Sequence, residues 1–258
     1  MRREKTNYTI QSVSHALDVI EQFTVEREEL GVTELSKRLK LHKNNVFRLL
    51  ATLEARGYIE QNKATDNYRL GIRCLQLGRN YVEQIGLLRQ ARPILESLAH
   101  TSHELAFVAV LRRGSVVPLD AVESDHPVRL VSRVGDALPL HCTAVGKVHL
   151  AFASEDDLPK LLADELPKFT DRTITDRQAL VHKLKQIAVQ GYAVEAGEHS
   201  TDASAVAAPV RDYTRNVVGS VAIAGPSYRV SDERIKAEIT PLIVKAAAEL
   251  SSRLGYKA

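Results

Sequence analysis

Between Thr33 and Gly57 the apolar positions fall into two short helical stripes separated by three residues. Leu35 and Leu39 recur four apart behind Thr33, a candidate N-cap, and Val46, Leu49, Leu50 and Leu53 line a second helix that Gly57 closes. Lys40, Leu41 and His42 leave room for only a turn, which is helix-turn-helix spacing. Upstream, Ala16, Leu17, Val19, Ile20 and Phe23 keep helical spacing behind Ser12 or Ser14 and predict a third helix packed under the pair. Downstream, Tyr58–Gln61 and Asn67–Leu70 are β-prone around a polar loop and predict a two-stranded wing. From Ile72 the pattern is helical again, with Ile72, Leu75, Val82, Ile85 and Leu88 on one face, which suits a connector that self-associates. Pro93 is expected as the first residue of the next helix, Ile94–His100.

Beyond Glu104 the texture becomes α+β. Strands are expected at Leu105–Leu111, Val116–Val122 and Val128–Val134, with Arg113-Gly114 as the turn between the first two. Helices are expected near Thr143–Phe152, after Ser154 with Asp157 completing a capping box, and from a Thr175 cap to Gly191. The strands Tyr192–Glu195, Val206–Arg211 and Val217–Ala224 follow, and Ser231 opens a C-terminal helix kinked by Pro241. A central antiparallel sheet with helices segregated to its faces is the expected architecture.

Charge changes the picture in one place. The net charge is only +3, and Met1–Gly78 holds thirteen Lys and Arg against ten Asp and Glu, which accounts for the whole excess. No Asp or Glu lies between Leu35 and Leu53, a window containing Lys37, Arg38, Lys40, Lys43 and Arg48. Lys43, Asn44, Asn45 and Arg48 fall at the start and outer face of the second helix, off its apolar stripe. Asn suits an adenine edge, Arg or Lys a guanine edge, and Lys also holds phosphates, so this helix is expected to read double-stranded DNA. Lys63 at the wing tip and Arg69 on its return strand either reach the phosphate backbone or decorate a plain surface hairpin.

The 258 residues, 44% hydrophobic, allow one large or two medium domains. Cys74 and Cys142 are too few for a metal knuckle or a disulfide framework, and a reduced compartment is the simpler expectation. The N-terminal MRREKTNYTI lacks an apolar signal core and no run approaches a membrane span, so the expectation is a soluble, cytoplasmic protein without a membrane partner.

Taken in order, SVSHALDVIEQF, LSKRLKLHKNNVFRLLATLEARGYIE, YRLGIRCLQLG, GDALPLHCTAVGK, VAAPVRD and VAIAGP resemble the IclR family of bacterial transcriptional regulators over nearly the whole chain. The resemblance implies a winged helix-turn-helix DNA-binding domain (1–71), a linker helix used in dimerisation (72–92), and a GAF-like effector-binding and oligomerisation domain (93–258). It also implies homodimers that often pair into tetramers, a pseudo-palindromic operator, and repression or activation in response to a small molecule, commonly on catabolic operons. Carried onto this chain, the family's effector pocket falls on Leu130, Leu138, Ala144, Val145, Glu195, Ala205, Ala222 and Ala224. Other members often have Cys or Ser at the last three, and GEHSTDASA replaces a loop that usually contains Gly. The strand-to-helix junction Gly135–Lys147 adds backbone N–H groups near Thr143 that can meet an anionic or polar ligand.

Catalytic and metal readings have less behind them. Gly146-Lys147 resembles the end of a phosphate loop, but His141 stands where its first Gly belongs and Val148 where Ser or Thr belongs. His141 and Cys142 are sequence neighbours with no carboxylate tied to them, and the spacing of Glu195, Glu198, His199 and Asp202 matches no dedicated metal site. No catalytic residue, metal or cofactor is expected. The competing reading is an enzyme or metabolite-binding protein that has acquired a DNA-binding unit.

Overall fold

The computed structural model describes residues 9–24, 26–84, 86–132 and 134–257, and leaves the side chains of residues 79 and 81–84 undescribed. It divides into two compact units, Met1–Gln84 and Ile85–Ala258.

In the first unit, helices α1 (Gln11–Ile20), α2 (Val32–Leu39) and α3 (Lys43–Ala55) precede a hairpin of β1 (Ile59–Gln61) and β2 (Tyr68–Leu70), followed by α4 (Ile72–Gln84). Val19, Phe23, Leu35, Val46, Leu50, Leu53, Ile59 and Tyr68 form one core, so the predicted stripes do face one another. Thr33 does not cap α2; the N-cap is Gly31, two residues earlier than expected. The cause is tertiary: Leu30 pairs with Tyr68 through both backbone bonds (2.9 and 3.0 Å), which sets where the chain turns into the helix. The turn between α2 and α3 puts Lys40 in the left-handed region (φ 55°), and the Ser36 hydroxyl donates to Leu41 O at 2.6 Å to hold it. At the exit of the wing Gly71 is required, because a Cβ there would sit 2.4 Å from Gly57 O.

The second unit begins with α5 (Gly86–Ser102), β3 (Leu105–Arg112) and β4 (Ser115–Val122), then α6 (Ala144–Ala151), α7 (Leu158–Leu161) and α8 (Arg177–Gln190). It ends with β5 (Ala193–Ala196), β6 (Ala203–Arg211), β7 (Val217–Pro226), α9 (Asp232–Arg234), a π turn (Ile235–Ile239) and α10 (Thr240–Arg253). The five strands form one antiparallel sheet in the order β4-β3-β7-β6-β5. Alternation along the central strands feeds two cores. Ala106, Val108, Val206, Val221 and Ile223 pack with α5 and α10, whereas Leu105, Phe107, Ala205, Ala207, Ala222 and Ala224 pack with α6 and α8.

Several expectations are corrected here. The stretch expected as a linker helix, 72–92, is helical on both sides of residue 85, in α4 and in α5, residue 85 itself lying outside the described residues, and Leu88 belongs to the core of the second unit. Val82 and Ile85 of the proposed stripe lie outside the described side chains. Pro93 does not start a helix but lies inside α5, exposed, while Leu87, Leu88 and Ala91 before it and Ile94, Leu95 and Leu98 after it enter the same core. Continuous burial on that face outweighs one lost hydrogen bond on the wet face. None of the described residues between Val128 and Val134 is in a strand. Val128, Val131 and Val134 are exposed, and among the described residues pairing to edge strand β4 is confined to a Val116–Leu138 bridge and a bond from Gly135 N–H to Pro118 O. Asp176, not Thr175, caps α8, its Oδ1 accepting from Ala179 N–H at 2.7 Å. A π turn, in which Thr240 N–H reaches back to Ile235 O, precedes Pro241, which stands in the first turn of α10.

Candidate functional site

Helix α3 carries its apolar side into the core and leaves Lys43, Asn44, Asn45, Phe47 and Arg48 exposed along the other side. The His42 carbonyl accepts from Asn45 and Val46 N–H (2.9 and 3.1 Å), so the first turn is formed and the side chains of Asn44 and Asn45 stand free of it. Phe47 is 56% exposed, an apolar group between polar ones that suits contact with a thymine methyl. Lys37 and Arg38 lie in the last turn of α2, and Arg38 is held by Glu34 at 2.6 Å. Lys63 is exposed in the wing loop, which Glu29 anchors through Asn62 (2.7 Å) and Thr65 (2.9 Å), and Arg69 pairs with Glu60 at 2.7 Å. The acid-free window in the sequence is therefore flanked by acids that hold Arg38 and Arg69.

The second unit contains a cavity of about 380 Å³ between the sheet, the start of α6 and the segment that precedes it. Its apolar walls include Leu105, Phe107, Pro118, Leu130, Val131, Leu138 and Val145, with Ala205 and Ala224 as its floor on the sheet. Thr143 caps α6, its hydroxyl accepting from Gly146 N–H at 3.1 Å and donating to Pro139 O at 2.7 Å. The helix start thus presents Thr143, Ala144 and Val145 to the cavity. Gly146 is needed for this placement, since a Cβ there would meet Leu140 O at 2.4 Å.

Polar groups gather at one side. Glu195 on β5 is 5% exposed; its Oε1 accepts from the N–H groups of Glu198 (2.7 Å) and His199 (3.2 Å). Burial pushes its carboxyl up to about 7, against the pull of those two N–H groups and of Lys147. Lys147 is fully buried, yet it donates to Glu198 Oε1 (2.5 Å) and Val194 O (2.8 Å) rather than to Glu195. The Cys142 thiol is pushed up to about 12 by burial first and by Glu195 and Glu198 next, so it stays protonated. His141 meets Pro167 O at 2.9 Å, and Phe169 lies between the rings of His141 and His199 (5.9 and 5.2 Å). Burial, then His141, lowers the His199 imidazole.

The description "IclR helix-turn-helix domain" matches residues 12–63, and "Bacterial transcriptional regulator IclR C-terminal" matches residues 79–252. The chain is similar to the HTH-type transcriptional regulator KdgR of Escherichia coli K12, 33% identical over 95% of this chain and 94% of that one. XynR of the same organism is 32% identical over 96% and 99%. Among solved structures, the IclR transcriptional regulator of Alicyclobacillus acidocaldarius superposes with a TM-score of 0.85 at 25% identity, covering 96% of this chain and 100% of that one. The chain belongs to the IclR family. It is a DNA-binding transcriptional regulator, with the helix-turn-helix and α+β units that this family combines.

Of the nine cavity positions expected from the IclR resemblance and the junction, eight are on the wall: Leu130, Leu138, Thr143, Ala144, Val145, Glu195, Ala205 and Ala224. Ala222 is not. It shares the face of Ala224, but two residues along β7 the sheet is already covered by α6, and Ala222 is fully buried in that core. The wall also includes Ser132, Asp136, His199, Ser200, Ala203 and Ser204, which sequence reading missed because they come from irregular backbone or a strand end without periodicity. Glu195, Glu198, His199 and Asp202 do not share one centre: Glu195 and His199 line the cavity, Glu198 turns to Lys147, and Asp202 is exposed. Among the described residues no three His, Cys, Asp or Glu converge on a metal position. No helix among them is long and apolar enough to cross a membrane.

Proposed function

We propose that the effector is an aromatic or medium-chain organic acid held in the cavity of the second unit, and that it changes how a cytoplasmic homodimer, or dimer of dimers, engages a pseudo-palindromic operator of a catabolic operon. The cavity wall carries this reading. Ala205 and Ala224 offer neither hydroxyl nor thiol, while seven larger apolar side chains line about 380 Å³. A ring or alkyl body that buries roughly 100 Å² gains about 2.5 kcal/mol, whereas a two- or three-carbon oxoacid leaves most of the space unfilled. A carboxylate suits the N–H groups at the start of α6, and Glu195 can accept from a ligand hydroxyl. A protonated Cys142 thiol and a His141 engaged with Pro167 supply no nucleophile and base pair, which supports binding without bond-making.

On the DNA side, the reading assigns base contacts to Asn44, Asn45 and Arg48 and phosphate contacts to Lys37, Arg38, Lys43, Lys63 and Arg69. Self-association is assigned to the apolar side chains that α4 leaves in water, Ile72, Leu75 and Leu77, with Leu75 68% exposed. Leu75→Asp is expected to lower both association in sedimentation and operator affinity, and an unchanged oligomer overturns that assignment. The effector is tested by fluorescence anisotropy on DNA upstream of the protein's own gene, with benzoate, octanoate, glyoxylate and pyruvate. Release or recruitment by the first two is expected. A response to glyoxylate or pyruvate alone overturns the proposed class.

A further inference from the structure

Glu195 and the start of α6 share one corner of the cavity, and the charges around that corner do not balance for an incoming anion. Thr143, Ala144 and Val145 line the wall beside Glu195, and Lys147, one turn into α6, is the cation of the group. That ammonium is committed to Glu198 and to Val194 O. Glu195 therefore sits in the wall at 5% exposure with no ion-pair partner among the described residues. Its Oε1 is used by two backbone N–H groups at the tight turn where Gly197 has φ +74°, the described hydrogen bonds of Glu195 leave Oε2 unused, and the residue lines the cavity. The other titratable groups facing it are Glu198 and His199 from the same loop, Cys142 ahead of α6 and Asp136 on the cavity wall, with His141 behind Phe169; Ser204 and Ala205 on β6 are uncharged. Arg172 passes beside Gly197 but is exposed to solvent.

We propose that Glu195 takes up one proton at Oε2 when an organic anion enters the cavity, so that the site binds the anion against a neutral carboxylic acid. With Glu195 ionised, a bound carboxylate and Glu195 place two negative charges beside one ammonium already paired with Glu198. With Glu195 protonated, Oε2–H becomes a donor to the ligand carboxylate, and the net charge of the corner is what it was before binding. The proton comes from solvent and returns there when the ligand leaves. The empty protein's own tendency to hold this proton near neutrality, caused by burial, makes the uptake cheap. The inference rests on the acid-effector reading above, and it adds that affinity is linked to pH through one named side chain.

The test is titration calorimetry of the full-length protein with benzoate, and with uncharged benzamide, from about pH 6 to about pH 8.5, in buffers of different ionisation enthalpy. Benzoate is expected to draw in close to one proton at the alkaline end and a small fraction of one at the acid end, its Kd rising about tenfold per pH unit above the Glu195 titration. Benzamide is expected to bind with no such slope. In Glu195→Gln, which keeps the oxygen that the two N–H groups need, the benzoate Kd is expected to be flat across the range. Benzoate binding by the wild type with no proton uptake overturns the inference and leaves the effector class standing, and uptake that persists in Glu195→Gln overturns it in favour of Glu198. Binding of neither benzoate nor octanoate at any pH overturns the effector class, and this inference with it.

Discussion

The proposed DNA-reading face and the proposed effector cavity handle charge in opposite ways. On the first unit Arg38 and Arg69 are held by Glu34 and Glu60, but all four groups are in water, where such pairs contribute about 0–1 kcal/mol and exchange readily for a phosphate. In the second unit several charged groups are buried, and Glu104 and Lys147 among them are paired inside the fold. Glu104, fully buried, is matched by Arg229 (2.6 and 2.9 Å) and Arg234, and Lys147 is matched by Glu198. Glu195 is the contrast among these, buried and held by backbone N–H groups without a cation of its own. A surface site can be assembled from side chains at little cost to folding, whereas a cavity site must be arranged by the fold before any charge in it is tolerable.

The sharpest way to break the comparison is to fill the cavity. Ala224 lies opposite Leu105 and Ala205 in the sheet and faces the cavity floor, so Ala224→Phe is expected to abolish the effect of any effector on DNA while leaving affinity for DNA as it was. Anisotropy with and without benzoate checks it, and loss of DNA binding as well means that the two units are not separable in this way.

Next in size is the pH dependence of stability. Glu195 has a folded pKa of about 7, above its ordinary 4.5, so the folded state holds the extra proton between those values. Its contribution is fully present below about pH 4.5 and is lost as pH rises through 7, a change of about 3 kcal/mol. His149 has the opposite sign. Burial lowers it from 6.5 to about 4, so stability is lost as pH falls through that window because the unfolded chain takes the proton first. The two oppose one another between about pH 4.5 and 6.5, and Glu195→Gln is expected to expose the His149 limb alone in urea unfolding across pH. A variant whose pH profile overlays the wild type removes Glu195 as the titrating group.

On the DNA face the expected effects are smaller and distinguishable in kind. Asn45→Ala or Arg48→Ala is expected to cost about 1–3 kcal/mol on the preferred operator and to relax base preference. Lys37→Ala and Lys43→Ala are expected to weaken all sequences alike and to flatten the salt dependence by about one unit of slope each. Competition binding against a scrambled duplex at two salt concentrations separates the two classes, and unchanged selectivity in Asn45→Ala and Arg48→Ala removes α3 as the reading helix.

The sequence by itself determined what depends on periodicity and local chemistry. The stripes of α2 and α3, the wing, the five strands and the family resemblance are all written in side-chain spacing, because burying a face requires a repeat of 3.6 or 2 residues whatever else surrounds it. The exposed basic face was legible for the same reason, since residues off the stripe must face water. Tertiary structure decided where tertiary contacts compete with local preference. Gly31 capped α2 because Leu30 pairs with Tyr68, Pro93 stayed inside α5 because both halves of that helix enter one core, and the described residues between Val128 and Val134 stayed irregular at the cavity wall. It also decided that Ala224 lines the cavity and Ala222, on the same face of the same strand, does not. That Lys147 would turn to Glu198 and leave Glu195 unpaired lies in no spacing along the chain, because the three meet only where α6 packs over β5, and burial and distance arise from that packing alone.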